Sequence, residues 1–292
     1  MRFSARLLAA AGLAALGLVG PLAAPSRADM AYGVTLIGNQ LITVDTNTGA
    51  GTLVGPLDGG NVGPFGLTGF NSQLYTFNST TDAINQISTS TGGVVASYNI
   101  GTGPVLGAGG LAFQSSTVGF LTTALDPNTF NYANNLYRFN LATGTSTLLT
   151  QTADTLSALA FSQSGTLYAL GQLDGNLYTI DTTTGAMTTV GNVGVALGST
   201  INSLAFSAGG TLYATLDDAL YTINTTTGLA TAIGDPAMGT GFASVSGLAF
   251  ANGVLPNAGT VPEPASILLL AVGALAPAGL AAARTARARR AG

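Results

Sequence analysis

The side chains available for chemistry in this 292-residue chain are almost entirely aspartates. His, Cys, Lys and Trp are absent, and the only Glu is Glu263. These absences exclude a disulfide framework, a thiolate or histidine catalyst, a His or Cys zinc site and a lysine Schiff base. Aspartate remains as an acid, a base or a ligand for a hard cation, with hydroxyl groups as its hydrogen-bond partners.

The charge balance excludes another class of function. Eleven Asp and one Arg lie between Asp29 and Val261, so this part of the chain has a formal net charge of −10. Such a body repels phosphate groups, and binding to nucleic acid is therefore not expected.

The elements that must position the aspartates come from a repeat with two alternating motifs. The first motif is Leu-Ala-Phe, in a looser form at its first occurrence, and its closing Phe recurs at intervals of 43 to 48 residues, at Phe70, Phe113, Phe161, Phe206 and Phe250. The second motif is a strand followed by a Thr-rich turn, clearest from Leu177 to Gly185. Each unit holds four short strands in about 43 residues, the length of a propeller blade. The sequence therefore predicts an all-β, five-bladed β-propeller with four-stranded blades over residues 29–251.

The ends of the repeat predict how the propeller closes. The body begins at Ala31 without a Leu-Ala-Phe strand and ends with an unpartnered one, Gly247 to Phe250. We expect this last strand to complete the first blade by sheet pairing (velcro closure), because closure removes an exposed edge. In the turns, Asp181 or Asn224 is expected to bond its own backbone, and Gly185 or Gly228 to supply a positive φ.

In a propeller, the loops between second and third strands share one face with the loops that join the blades. Eight of the ten Asp between Met30 and Val261 fall in these loops, namely Asp58, Asp82, Asp126, Asp154, Asp174, Asp217, Asp218 and Asp235. One interpretation is the preference of Asp for turns. The other is an acidic ring assembled from several blades, which would bind calcium or a cationic polymer group.

A ten-residue insertion in the third blade, residues 126–135, is predicted to form the longest loop of that face. Long loops on rigid scaffolds often carry function, and Phe130 and Tyr132 could stack on a sugar ring. The candidate ligand or cation face consists of Asp82, Asp126, Asp174, Asp217, Asp218, Asp235, Phe130 and Tyr132. No cofactor other than calcium is expected.

The two ends of the chain have the pattern of targeting segments. Residues 1–28 have an Arg-containing start, an apolar run and a small-x-small site at their end, which predicts a secretory signal peptide. Residues 252–260 are a Gly- and Pro-containing spacer. In residues 261–292, Val261-Pro262-Glu263-Pro264 precedes a nineteen-residue apolar run, Ala265 to Ala283, which ends in a basic cluster of Arg284, Arg287, Arg289 and Arg290. This run predicts a membrane-spanning helix with its basic end in the cytoplasm.

This tripartite tail resembles the PEP-CTERM sorting signal of Gram-negative, exopolysaccharide-producing bacteria. The resemblance implies recognition of Pro262, Glu263 and Pro264 by an exosortase-type membrane protease, after transient membrane insertion of the tail helix. An ordinary C-terminal membrane anchor is the alternative. The Leu-Tyr-x-Ile-Asp and Thr-Gly units of the body are similar to secreted propeller domains of unknown function that are joined to such tails.

These observations together predict a protein of the cell surface or extracellular matrix. The function expected first is a non-catalytic binding or structural module of the exopolysaccharide or biofilm matrix, which is not an enzyme. The alternative is a carbohydrate-active hydrolase that uses paired Asp carboxylates, since five-bladed propellers include such enzymes. Extracellular polysaccharide is the expected partner besides the exosortase-type protease.

Overall fold

A computed structural model gives the fold of the chain. It describes residues 30–57, 64–78, 80–102, 106–125, 132–198, 202–235 and 240–253. The predicted signal peptide, most of the spacer and the whole sorting tail, including Pro262 to Pro264 and the four terminal Arg, lie outside the described residues. Within those ranges no helix is long and apolar enough to span a membrane.

Twenty β-strands make up the described structure. In chain order they are β1 (Ala31–Thr35), β2 (Gln40–Val44), β3 (Gly51–Pro56), β4 (Pro64–Phe70), β5 (Gln73–Asn78), β6 (Ala83–Ile87), β7 (Val94–Asn99), β8 (Leu106–Phe113), β9 (Val118–Leu125), β10 (Tyr132–Asn140), β11 (Thr145–Gln151), β12 (Leu156–Phe161), β13 (Leu167–Gly171), β14 (Asn176–Ile180), β15 (Met187–Asn192), β16 (Ser203–Phe206), β17 (Leu212–Leu216), β18 (Ala219–Ile223), β19 (Ala230–Ala232) and β20 (Val245–Phe250).

The strands form five antiparallel sheets of four, which confirms the predicted five-bladed propeller. The sheet orders are β20-β1-β2-β3, β4-β5-β6-β7, β8-β9-β10-β11, β12-β13-β14-β15 and β16-β17-β18-β19. Each Leu-Ala-Phe motif or its variant lies on the innermost strand of a blade. These inner strands contact one another in a ring, β20 to β4, β4 to β8, β8 to β12, β12 to β16 and β16 to β20.

The predicted closure is also confirmed. The last strand, β20, pairs with β1, and Ala31 lies opposite Phe250 while Gly33 lies opposite Leu248. All six residues of β20 are buried. The first and last strands of the described chain are therefore hydrogen-bonded neighbours in one blade.

The Thr-rich turns have the predicted geometry. The Asp181 carboxylate accepts hydrogen bonds from the Thr183 and Thr184 N–H groups, both at 2.8 Å, and Gly185 has a φ of 77°. Asn224 makes the same pair of contacts in the fifth blade, with its side-chain oxygen 2.8 Å from the Thr226 nitrogen and 3.1 Å from the Thr227 nitrogen. An amide oxygen thus replaces a carboxylate oxygen in the same turn.

Leucines close the axis of the ring. The Leu of each innermost strand is buried, and all five border one axial cavity of about 10 Å³, namely Leu67, Leu111, Leu159, Leu204 and Leu248. That volume holds about one water molecule. Along this stretch the axis has no room for a ligand, so a binding site must lie on one of the two faces.

The upper face carries the loops between second and third strands and the loops between blades, and the lower face carries the other turns. One upper-face element differs from its prediction. Residues 132–135, expected in an irregular loop, belong to β10, and Tyr132 pairs with Leu125 before an irregularity that ends at Asn135. Pairing with the long strand β9 draws this part of the insertion into the sheet.

Candidate functional site: a carboxyl pair on the upper face

Two aspartates meet on the upper face where the third blade joins the fourth. Asp154 lies in the connection from β11 to β12, and Asp174 lies in the short loop between β13 and β14. Their carboxyl groups approach each other over Gly171, where Oδ1 of Asp174 and Oδ2 of Asp154 both reach the space that a Cβ would fill. Two carboxylates this close repel each other, so their proximity favours protonation of one of them. We call Asp154 and Asp174 the carboxyl pair.

Asp154 is the buried member, with only 6% of its surface exposed. Its Oδ1 accepts a hydrogen bond from the Thr155 N–H at 2.7 Å. Its Oδ2 accepts hydrogen bonds from the N–H groups of Leu173 and Asp174, both at 3.3 Å. The side chain therefore ties the loop of the fourth blade to the connection that precedes that blade.

Asp174 is the exposed member and accepts several donors. Its Oδ1 lies 2.8 Å from the Asn176 nitrogen, and its Oδ2 lies 2.9 Å from the Asn176 side-chain nitrogen. The Tyr178 hydroxyl donates to the same Oδ2. The neighbouring Leu173 is 77% exposed and offers an apolar surface beside the pair.

Gly171, the last residue of β13, makes room for the pair. A Cβ at this position would overlap both Oδ1 of Asp174 and Oδ2 of Asp154. The two carboxyls can therefore pack over the strand end only because this residue has no side chain. Larger residues here would push the two acids apart.

The two acids have their pKa values shifted in opposite directions. Burial, followed by the hydrogen bond to Asp174, raises the pKa of Asp154 above its ordinary value despite the backbone N–H donors. Burial also acts to raise the pKa of Asp174, but hydrogen bonds from Tyr178, Asn176 and Asp154 outweigh it, so that the pKa of this carboxyl is lowered. Of the two, the buried Asp154 is therefore the acid that keeps its proton to higher pH.

This arrangement is suited to proton transfer. A pair of carboxyls whose pKa values are separated by their surroundings provides one acid and one base at the same pH. Because an oxygen of each carboxyl reaches the space where a Cβ of Gly171 would stand, the two acids are closer together than the roughly 5–9.5 Å of most glycoside hydrolases.

Three of the predicted site residues make specific loop contacts. Both carboxylate oxygens of Asp217 lie 3.0 Å from the Gly198 nitrogen. Asp218 accepts hydrogen bonds from the Ser244 and Val245 N–H groups at 3.0 and 2.8 Å. Asp82 accepts the Thr102 hydroxyl. All three have positive φ values of 47° to 68°, which Asp tolerates better than most residues, and they join second-to-third-strand loops to the adjoining blade connections.

The remaining predicted residues are not brought together in the described structure. Asp235 lies exposed after β19, Tyr132 begins β10, and Asp126 and Phe130 are outside the described residues. No group of three or more acidic side chains that could hold a metal ion occurs within the described ranges. The calcium site stays a prediction.

Sequence reasoning placed Asp154 on the upper face but did not include it in the candidate site. Its neighbours in sequence, Ala153 and Thr155, give no sign of burial, and its partner is twenty residues away. The one available signal was the position of both Asp in upper-face loops flanking the first two strands of the same blade.

Comparison with known proteins places the chain by fold only. No family model matches the chain, and no curated protein is similar to it in sequence. Its structure is similar to one in the nidogen/laminin complex, at 13% identity and a TM-score of 0.51, over 76% of this chain and 80% of that chain. It is also similar to a gluconolactonase from Xanthomonas campestris, at 14% identity and a TM-score of 0.47, over 69% of this chain and 70% of that one. A virginiamycin B lyase from Staphylococcus aureus matches at 12% identity and a TM-score of 0.41, over 66% and 65%.

The prediction that the chain is not an enzyme is contradicted, because enzymes, among them a gluconolactonase and a lyase, occur among the structures that resemble this fold. Identities of 12–14% show the shared fold and no particular activity. The composition and the propeller architecture therefore give no ground for excluding catalysis.

Proposed function

We propose that the protein is a secreted or cell-surface propeller of the exopolysaccharide matrix of a Gram-negative bacterium, and that the carboxyl pair serves Asp-dependent hydrolysis of a carbohydrate. The observation that carries the proposal is the contact of two carboxyls with oppositely shifted pKa values on the face where propeller ligands bind. The apolar side chain of Leu173 beside them offers a surface for a sugar ring.

In this mechanism the exposed Asp174 contacts the substrate and the buried Asp154 acts through it. The ionised Asp174 takes a proton from a water molecule as the water oxygen bonds to the carbon of the scissile linkage. The bond from that carbon to the leaving oxygen breaks, and the proton held by the carboxyl pair passes to that oxygen. The proton taken from water then restores the pair, so that protons balance over one turnover.

The test is release of reducing ends from the organism's own exopolysaccharide and from neutral glycans. Asp174→Asn should abolish release, and Asp154→Asn should lower it and flatten its dependence on pH. Asp45→Asn is the matched control, because Asp45 lies in the lower-face turn between β2 and β3 and an Asn already makes the same turn contacts in the fifth blade. Gly171→Ala should also lower release, because the added Cβ would overlap both carboxyls. No release by the parent protein, or equal release by all variants, would overturn the hydrolase.

Delivery to the surface forms the second part of the proposal. An exosortase-type protease would recognise Pro262-Glu263-Pro264 while the apolar run Ala265 to Ala283 spans the inner membrane and the terminal Arg cluster stays in the cytoplasm. Intact mass spectrometry of the extracellular protein should show that residues from Ala265 onward are missing. A variant with Ala at both Pro262 and Pro264 should keep them. A mature parent protein that retains the tail would favour a permanent anchor.

A further inference from the structure

The lower face carries a groove built around the one basic side chain of the propeller. Arg138 is the only Lys or Arg between Arg27 and Arg284. It is exposed on β10 and borders a groove of about 560 Å³, which also has Gln114, Phe139, Asn140, Thr145, Thr147, Leu149, Thr182 and Thr183 along its walls. This volume lies within the range of small-molecule sites. We call it the Arg138 groove.

Two blades build the groove. Arg138 lies directly opposite Thr147 of β11, and Thr145 is two residues from Thr147, on the same side of that strand. Thr182 and Thr183 come from the turn between β14 and β15 of the fourth blade. Phe139 is buried and Leu149 is half-buried, so the other, polar side chains supply most of the groups that a ligand can reach.

These polar groups have unused hydrogen-bonding capacity. Within the described part of the chain, the Arg138 guanidinium makes no hydrogen bond or ion pair. The side-chain oxygens of Thr147, Thr182 and Thr183 and the side-chain amide of Gln114 likewise have no partner there. A guanidinium surrounded by free hydroxyl and amide groups matches a ligand that has a carboxylate and several hydroxyls.

We propose that the Arg138 groove binds a single carboxylated sugar unit of a polysaccharide, because one carboxylate can pair with Arg138, whereas the net charge of −10 would repel a densely charged polyanion. The guanidinium would pair with the sugar carboxylate through two parallel N–H donors, and the Thr and Gln side chains would bond the ring hydroxyls. This inference rests on the proposed role in the polysaccharide matrix, but it uses a different face from the carboxyl pair. The groove would hold the polymer while the upper face acts on it.

One nearby charge opposes the ligand and gives the proposal a second variant. Asp181 adjoins Thr182, and its carboxylate is ionised, because hydrogen bonds from the Thr184 and Thr183 backbone lower its pKa. A carboxylated ligand in the groove is repelled by this charge. Asp181→Asn removes the charge and retains the turn, so it should strengthen binding.

The experiment is calorimetric titration with galacturonic acid, with its methyl ester and with galactose as neutral counterparts. The parent protein should bind only the free acid, because only the free acid offers a carboxylate to Arg138. Arg138→Gln should weaken binding about tenfold or more, and Asp181→Asn should tighten it. Asp154→Asn should leave binding unchanged.

The outcomes separate this inference from the hydrolase. Absence of binding by the parent, equal binding of the methyl ester, or equal binding by Arg138→Gln would overturn the groove assignment. If the acid binds as expected but no variant of the carboxyl pair changes glycan cleavage, the groove stands and the hydrolase falls. Circular dichroism of Arg138→Gln establishes that it is folded, and Arg138→Lys should recover only part of the affinity, because lysine lacks the planar fork.

Discussion

Asp154 is a buried acid in a molecule with almost no basic side chains. Burial of a carboxylate without a cation is unfavourable, and proteins usually compensate by protonation or by several hydrogen bonds. Here three backbone N–H groups bond the side chain, and its raised pKa means that it keeps its proton to higher pH than an ordinary Asp. Asp154 therefore fixes an upper-face loop and remains a titratable group.

The oppositely shifted pKa values predict how stability depends on pH. Above the ordinary Asp value of 3.8, the unfolded chain has released the Asp154 proton while the folded chain keeps it. The free energy of unfolding should therefore fall as pH rises from about 3.8 through the higher folded pKa of Asp154. Asp174 acts in the opposite direction. Its lowered pKa stabilises the folded protein above pH 3.8, and this stabilisation is lost only as pH falls below that value.

Asp154→Asn should remove the fall in the free energy of unfolding that the parent protein shows as pH rises above 3.8. The amide can donate to Asp174 and accept the same backbone N–H groups, so the variant should be at least as stable as the parent at pH 7. Urea unfolding at pH 4 and pH 7 measures this. Asp181→Asn is the control and should lower the free energy of unfolding at pH 7, because the lowered pKa of Asp181 stabilises the fold at neutral pH. A parent protein whose stability does not fall between these two pH values would contradict the assignment.

At the residue scale, the sequence predicted which loops carry the acidic side chains but not which groups those side chains contact. The Asp and Asn of the Thr-rich turns were predictable, because these side chains bond backbone only two or three residues away. The carboxyl pair was not predictable, because it depends on the approach of two loops and on the missing side chain of Gly171. Asp217 and Asp218 likewise contact backbone about twenty residues away.

At the scale of elements, the final strand β20 is buried along its whole length. Leu248 on β20 is fully buried among residues of the first and fifth blades, including Ile42 and Leu220. Its partner strand, β1, is also completely buried. Stability of the first blade therefore depends on a segment that is made last.

Leu248→Ala should lower the free energy of unfolding by about 2–5 kcal/mol, because it leaves a cavity in a packed inter-blade core. Leu229→Ala is the matched control, since Leu229 is 55% exposed and its truncation should change stability by less than about 0.5 kcal/mol. Equal losses for the two variants in chemical unfolding would show that β20 does not carry the closure.

At the scale of the whole molecule, stability comes from a ring of five inner strands and from the cores between successive blades. The repeated Leu-Ala-Phe and Thr-Gly motifs sufficed to predict blade number and closure, because each blade uses the same local pattern. The extension of β10 through residues 132–135 was missed, because it depends on the length of its neighbour β9.

Removal of the closing strand should open this ring. A chain that ends at Ala243 lacks β20 and exposes the edge of β1, so it should unfold or aggregate. A chain that ends at Asn257 keeps β20 and the hydrogen bond from the Ser72 N–H to the Ala251 oxygen, and it should melt as the parent does. Thermal melting of both chains tests the ring, and identical melting temperatures would refute it.

The pairing of Ala31 with Phe250 also sets the orientation of anything attached to the chain. β1 starts and β20 ends at the lower face, so both described ends leave the propeller on the same side. A bilayer that holds the protein through residues after Gly253 would lie beneath that side. The carboxyl pair would then point outward to the medium, whereas the Arg138 groove would face the lipid headgroups. Removal of the proposed tail would free the lower face, with the Arg138 groove, from the membrane.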